Sequence, residues 1–302
     1  MKKYSIFIVA CLLVLAGCSQ ITIDPEQPKE EVVESTAGTE PTNQIAPITE
    51  PVDSEVVEES LTDKVKDFFT FEWLKKEEEA KPVFYLALGD SLTRGVGDEN
   101  DNYGWTGIFA QELEKWPAVQ EVELDNRGKN GRRSDQLLTL LEKGHYDEQL
   151  EKANIITITL GGNDVMRVVK SDLLNLREEL FIEAQQPFID RYTSILTYIR
   201  AHTEAPIVMV GFYNPFSIIT ESPFEEIIHN WNVDIEILAN KTNNACFVSI
   251  EDLFVTNEDM VYHSDYFHPN ATGYQNMANR VKERLTECNI EEMSDGLLGF
   301  EE

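Results

Sequence analysis

From Lys81 onward, short apolar runs alternate with longer segments of helical periodicity. The runs predict strands over Val83–Leu88, Val122–Asp125, Ile155–Leu160, Ile207–Val210 and Cys246–Ile250. Helices are predicted over Trp105–Lys115, Ser134–Lys143, a long region within Ser171–His202, Phe224–Asn240 and Ala271–Cys288. Strands this short and apolar, each followed by a helix, imply a parallel sheet covered on both faces. The expected architecture is one doubly wound α/β domain over residues 82–288, with its functional edge at the C-terminal ends of the strands. Residues 289–302 read as a frayed acidic tail.

The pattern is different before the domain. Met1-Lys2-Lys3 is a short positive start, and Tyr4 to Leu15 is an apolar run too short to span a bilayer comfortably. It ends in Leu15-Ala16-Gly17-Cys18, which resembles a bacterial lipobox. The resemblance implies a signal peptide over 1–17, cleavage before Cys18 and lipid on the Cys18 sulfur. The protein would then sit lipid-anchored on the extracytoplasmic face of the cell membrane. An ordinary secretory signal or an uncleaved anchor is the plainer reading. Residues 18–58, rich in Pro, Glu, Thr, Val and Ser, cannot bury enough apolar surface to offset ordering entropy and read as an acidic tether. Over 59–80, Leu61, Val65, Phe68, Phe69 and Leu74 recur at near-helical spacing and predict an amphipathic helix. Packing on the following domain is its expected role.

Composition narrows the function. The chain has 302 residues, 42% of them hydrophobic, enough for a sizeable core. The formal net charge of −30 repels nucleic acid and anionic lipid headgroups, so neither is an expected partner. No Cys/His spacing of a metal site occurs, nor a P-loop, nor a GxGxxG after a strand, so no metal or cofactor is expected. Of the four cysteines, Cys246 and Cys288 belong to the globular part; outside the cytoplasm they could pair, or they could be two buried thiols.

The candidate chemistry gathers at the strand ends. Phe84-Tyr85-Leu86-Ala87-Leu88-Gly89-Asp90-Ser91 puts a serine where a buried strand turns toward a helix, a suitable place for a nucleophile and equally for an ordinary turn. Of five histidines, His268 stands three residues after Asp265 in a loop before the last helix, which Asn270 can cap. That spacing lets a carboxylate hold one imidazole nitrogen and leaves the other for a hydroxyl. Two Gly/Asn-rich loops, Asn126-Arg127-Gly128-Lys129-Asn130-Gly131 and Gly161-Gly162-Asn163-Asp164, follow the second and third strands and carry the donors an oxyanion hole needs. Tyr103-Gly104-Trp105 is either part of a substrate rim or a buried aromatic pair.

Together these blocks resemble the SGNH, or GDSL-type, hydrolases. Gly89-Asp90-Ser91-Leu92 matches the nucleophile block, Gly131 the second-block glycine, Asn163 in GGND the third-block asparagine, and Asp265 with His268 the last-block pair. All four occur in family order across about residues 82–288. The resemblance implies a flavodoxin-like three-layer α/β/α sandwich with a five-stranded parallel sheet. It also implies metal-free hydrolysis of ester or thioester bonds. Ser91, His268 and Asp265 would form the triad. The Ser91 N–H, the Gly131 N–H and the Asn163 side chain would form the oxyanion hole. Gly128 also offers an amide; Gly131 is preferred because it stands just before the helix starting near Ser134. The substrate class ranges from lipid or other small-molecule acyl esters, lysophospholipids included, to O-acetylated cell-wall or exported polysaccharide. A surface binding lipoprotein without turnover is the reading from a different class.

Overall fold

The computed structural model describes residues 80–171, 177–216, 224–255 and 258–299. The expected leader with Cys18, the tether, and the helix of 59–80 except for its last residue lie outside these. Among the described residues no helix is long and apolar enough to cross a membrane.

Five parallel strands carry the domain. In chain order the elements are β1 (Lys81–Gly89), α1 (Ser91–Arg94), α2 (Gly104–Leu113), β2 (Val119–Gly128), α3 (Ser134–Glu142), α4 (Asp147–Lys152), β3 (Ile155–Thr159), α5 (Gly162–Ser171) and α6 (Glu178–Arg200). Then follow β4 (Ile207–Val210), α7 (Phe224–Lys241), β5 (Ala245–Val248), a 3-10 turn Glu251–Phe254, α8 (Glu258–Val261), α9 (Ala271–Glu287) and α10 (Ile290–Met293). Strand order is β2-β1-β3-β4-β5, every neighbouring pair parallel. The order reverses direction between β1 and β3, the switch point at which such sheets open a crevice beyond their strand ends.

The central strands are apolar on both faces because both faces are covered. Val83, Tyr85 and Ala87 of β1 join a core with Trp105, Phe109 and Leu113 of α2 and Tyr274, Met277 and Val281 of α9, while Leu86 and Leu88, facing the other way, are also fully buried. On the other side α3 packs on α6 and α6 on α7, with Phe188 stacked on Trp231 at 4.9 Å. The sheet with its flanking helices is the expected α/β/α sandwich.

The structure departs from the sequence reading in several places. β2 runs on to Gly128, so Asn126-Arg127-Gly128 are strand rather than loop; its half-exposed edge position gives it a weak apolar pattern. α5 begins at Gly162, so Asn163 and Asp164 stand in a first helical turn and not in a free loop. Two adjacent glycines conceal that helix start from propensity. The 289–302 tail is not frayed over its described part. Ile290 and Leu298 are buried in the core around α9, because two apolar residues outweigh the acidic ones between them. Tyr103 and Trp105 do not pair: Trp105 is fully buried and Tyr103 is 56% exposed. Cys246 and Cys288 form a disulfide, Cα to Cα 5.8 Å, joining β5 to the end of α9.

Candidate active site

Ser91 is placed by the end of β1. Gly89 has φ +153 and comes so close to β3 that a Cβ there would stand 2.5 Å from the Thr159 carbonyl oxygen. The chain then turns at Asp90, whose Oδ1 accepts the Leu92 N–H at 2.9 Å as the cap of α1. Ser91 is the first residue of that helix, where N–H groups lack intrahelical acceptors. α1 ends after one turn at Gly95 in the left-handed region.

His268 comes from the opposite end of the domain. Its Nε2 is 2.9 Å from Ser91 Oγ, and its Nδ1 is 2.6 Å from Asp265 Oδ2. The loop is held from several sides. Asp265 Oδ1 accepts the N–H groups of Phe267 (3.0 Å) and His268 (2.9 Å) around Tyr266 at φ +54. The Tyr213 hydroxyl donates to the Phe267 carbonyl at 2.6 Å, and Asn270 caps α9 through the Gly273 N–H. Burial alone would raise the Asp265 carboxyl. The hydrogen bonds from the His268 side chain and backbone, the imidazole charge and the Phe267 N–H outweigh burial and hold it at about 2. Asp265 is therefore a fixed anion against one imidazole nitrogen.

The two glycine-bearing blocks contact the end of β1 and the start of α1 at the switch point. The Gly128 N–H is taken by Asn126 Oδ1 at 2.9 Å, and Asn126 Nδ2 donates to the Thr93 carbonyl and the Thr106 hydroxyl, tying β2 to α1. Gly131, at φ +72, has open space where a Cβ would be, and among the described residues no acceptor takes its N–H. Buried Arg132 next to it donates to the carbonyls of Arg127 and Gly89, fixing the turn against β1. Asn163 Nδ2 donates to Asp90 Oδ2 at 3.2 Å.

Three contributors were not singled out by sequence reasoning. Asp90 is buried and its carboxyl is raised to about 6 by burial, against the Leu92 N–H and the Thr159 hydroxyl. Asp164 accepts the Ser134 N–H at 3.0 Å, the Ser134 hydroxyl at 2.6 Å and Arg191 Nη2 at 3.2 Å; burial raises its carboxyl against these partners. Asn232 grips Phe212 by both N–H (3.1 Å) and C=O (2.7 Å), fixing the segment after β4. Asp90 and Asp164 lie in the GDSL and GGND motifs, and burial shows that they are not surface turn residues.

A cleft opens beside Ser91. Its polar end is Asp90, Ser91 and Asn163, and its walls are mostly apolar: Leu92, Val165, Met166, Phe212, Tyr213, Phe216, Phe224, Ile228 and Phe267. Phe212 and Phe216 come from the segment after β4, of which 217–223 lie outside the described residues. The loop Asp98–Asn102 after α1 does not line the cleft. Asp98 there accepts the N–H groups of Asn100, Asn102 and Gly104 at 3.0 Å each and folds the loop on itself. Among the described residues no group of three or more His, Cys, Asp or Glu side chains could hold a metal ion.

A family model described as the GDSL-like lipase/acylhydrolase family matches residues 87–275. The Bacillus subtilis (strain 168) protein YpmR is 36% identical over 209 residues, 67% of this chain and 81% of its own length. The spore germination lipase LipC of Bacillus licheniformis is 28% identical over 206 residues, 66% of this chain and 94% of its own. Among solved structures, the lipase Lip_vut3 from a goat rumen metagenome superposes with a TM-score of 0.58 at 26% identity, covering 70% of this chain and 99% of that one.

Proposed function

Given that this chain belongs to the GDSL-like lipase/acylhydrolase family and is a carboxylic ester hydrolase, we propose that Ser91 is its nucleophile, His268 its general base and Asp265 the residue that orients the imidazole. The observation that carries this is the pair of contacts on one ring, Nε2 to Ser91 Oγ at 2.9 Å and Nδ1 to Asp265 at 2.6 Å. His268 takes the hydroxyl proton as Ser91 attacks the acyl carbon, then returns it to the leaving alcohol. An acyl-serine forms, and His268 next deprotonates the water that releases the acid. The Ser91 and Gly131 N–H groups and the Asn163 amide receive the oxyanion; each such donor is worth on the order of 10²–10³ in rate. Labelling by a fluorophosphonate probe and turnover of a p-nitrophenyl ester test the assignment. Ser91→Ala should abolish labelling and lower kcat by roughly 10⁴ or more; wild-type turnover in that variant would sink it.

The acyl group we propose is apolar and longer than acetyl. The cleft walls offer a chain of methylenes an apolar surface at about 0.8 kcal/mol per buried CH₂. Acetyl on a polysaccharide would use almost none of it. The lipobox-like Leu15-Ala16-Gly17-Cys18 supports lipid attachment at Cys18 and a place on the extracytoplasmic face of the membrane. Detergent-phase partitioning of the wild type, lost in Cys18→Ala, tests that part.

A further inference from the structure

Asn163 can serve the oxyanion only if its Nδ2 end, not its carbonyl, faces the reacting carbonyl oxygen. Nothing in a free carboxamide decides that, since the two ends differ little in shape. Here the decision falls to one neighbour. Asp90 Oδ2 is 3.2 Å from Asn163 Nδ2, and an ionised carboxylate only accepts hydrogen bonds. A flip of Asn163 would set oxygen against oxygen beside buried Asp90, at the cost of an unsatisfied polar group.

Asp90 is itself held rigidly. Its other oxygen accepts the Leu92 N–H at 2.9 Å and the Thr159 hydroxyl at 3.2 Å, and Thr159 is in turn bonded to the Thr93 hydroxyl at 2.5 Å. These contacts reach from α1 across β3 to α5, so the residue preceding the nucleophile is locked to the strand beside it. A cap for α1 needs only one oxygen; the second oxygen reaches Asn163.

We propose that Asp90 is a positioning residue for the oxyanion hole, its carboxylate fixing one N–H of Asn163 so that the other is presented to the oxyanion at Ser91. This rests on the reading of Asn163 as an oxyanion donor. It assigns to Asp90 more than the turn chemistry that its place in Gly-Asp-Ser suggests.

The test is a double-mutant cycle with Asp90→Asn, Asn163→Ala and the pair, assayed on p-nitrophenyl butyrate with thermal melts on each protein. Asparagine caps helices about as well as aspartate, so the cap survives Asp90→Asn. Its amide would confront Asn163 Nδ2 and turn the Asn163 carbonyl toward the hole. Expected is a fall in kcat of about 10²-fold for Asp90→Asn with KM nearly unchanged, about 10²–10³-fold for Asn163→Ala, and little further loss when Asp90→Asn is added to Asn163→Ala. Asp90→Ser, which keeps a capping oxygen but is too short to reach Asn163, should show the same non-additivity if Asp90→Asn folds poorly. If Asn163→Ala lowers kcat but the Asp90 penalties multiply with it, or are absent, the positioning role is overturned while the donor assignment stands. If Asn163→Ala leaves kcat at the wild-type level, both fall.

Discussion

The Ser134 hydroxyl lies 2.6 Å from Asp164 Oδ1, and the Ser134 N–H lies 3.0 Å from Asp164 Oδ2. One buried carboxylate thus ties the first turns of α3 and α5 together, with Arg191 of α6 bonded to both partners. Gly131 stands three residues before Ser134 and Asn163 one before Asp164, so this knot sets the spacing of the two donors proposed for the oxyanion from outside α1. Ser134→Ala leaves Oδ1 with Arg191 alone. Thermal unfolding should show a loss of about 1–3 kcal/mol, with kcat lowered more than KM is raised. Wild-type kcat in a destabilised protein would mean that the knot serves folding only.

Asp265→Asn tests the orienting role. Its amide accepts less well from Nδ1–H and favours the wrong tautomer, so kcat should fall by about 10⁴ with the fold intact. The pH sign is defined. The Asp265 carboxyl is held at about 2 in the fold, below its ordinary 3.8. Its stabilisation is therefore complete above pH about 4 and is lost as pH falls through 2. Acid melts of wild type and Asp265→Asn should converge toward pH 2.

Asp90 has the opposite sign. With its carboxyl raised to about 6 from an ordinary 3.8, the folded state binds the proton more tightly than the unfolded chain. Stability from this site is present below pH about 4 and declines as pH rises through 6. Asp90→Asn, which cannot ionise, should melt at least as high as wild type at pH 7.5 while being the slower enzyme. A lower melting temperature at pH 7.5 that recovers at pH 5 contradicts this.

Chain-length preference follows from the cleft. Across p-nitrophenyl esters beginning at acetate, kcat/KM should climb by up to about fourfold per methylene until the apolar walls are filled. Met166→Ala, which enlarges the apolar lining, should move the optimum to longer chains. A profile peaking at acetate, with acetylated sugars preferred, would return the O-acetyl esterase reading.

The disulfide closes a separation of 42 residues between β5 and α9. Reduction should cost about 4 kcal/mol by loop entropy, seen as a lower denaturant midpoint. Activity at low temperature should persist, because neither cysteine lines the cleft.

The strand–helix alternation was legible because period and length are local properties. Val83–Leu88 and Ile207–Val210 are apolar on both faces, and no other element satisfies such short runs. Ser91, Gly131, Asn163, Asp265 and His268 were legible only as a set in order. Propensity failed where glycine hid a start, at Gly162, and where edge exposure weakened the pattern, at Asn126–Gly128. It failed again after 288, where burial of Ile290 and Leu298 depends on a surface built by distant residues.

The layered α/β architecture thus follows from the pattern along the chain, and the ordered motif blocks nominate Ser91, His268, Asp265, Gly131 and Asn163. Tertiary structure alone decided that His268 meets Ser91 across 177 positions, that Cys246 and Cys288 pair, and that Asp90 and Asp164 are buried carboxylates and not turn residues. The reason is physical. Periodicity reports which face of an element is apolar, but contacts, burial and the pKa shifts they cause depend on what the sheet brings alongside.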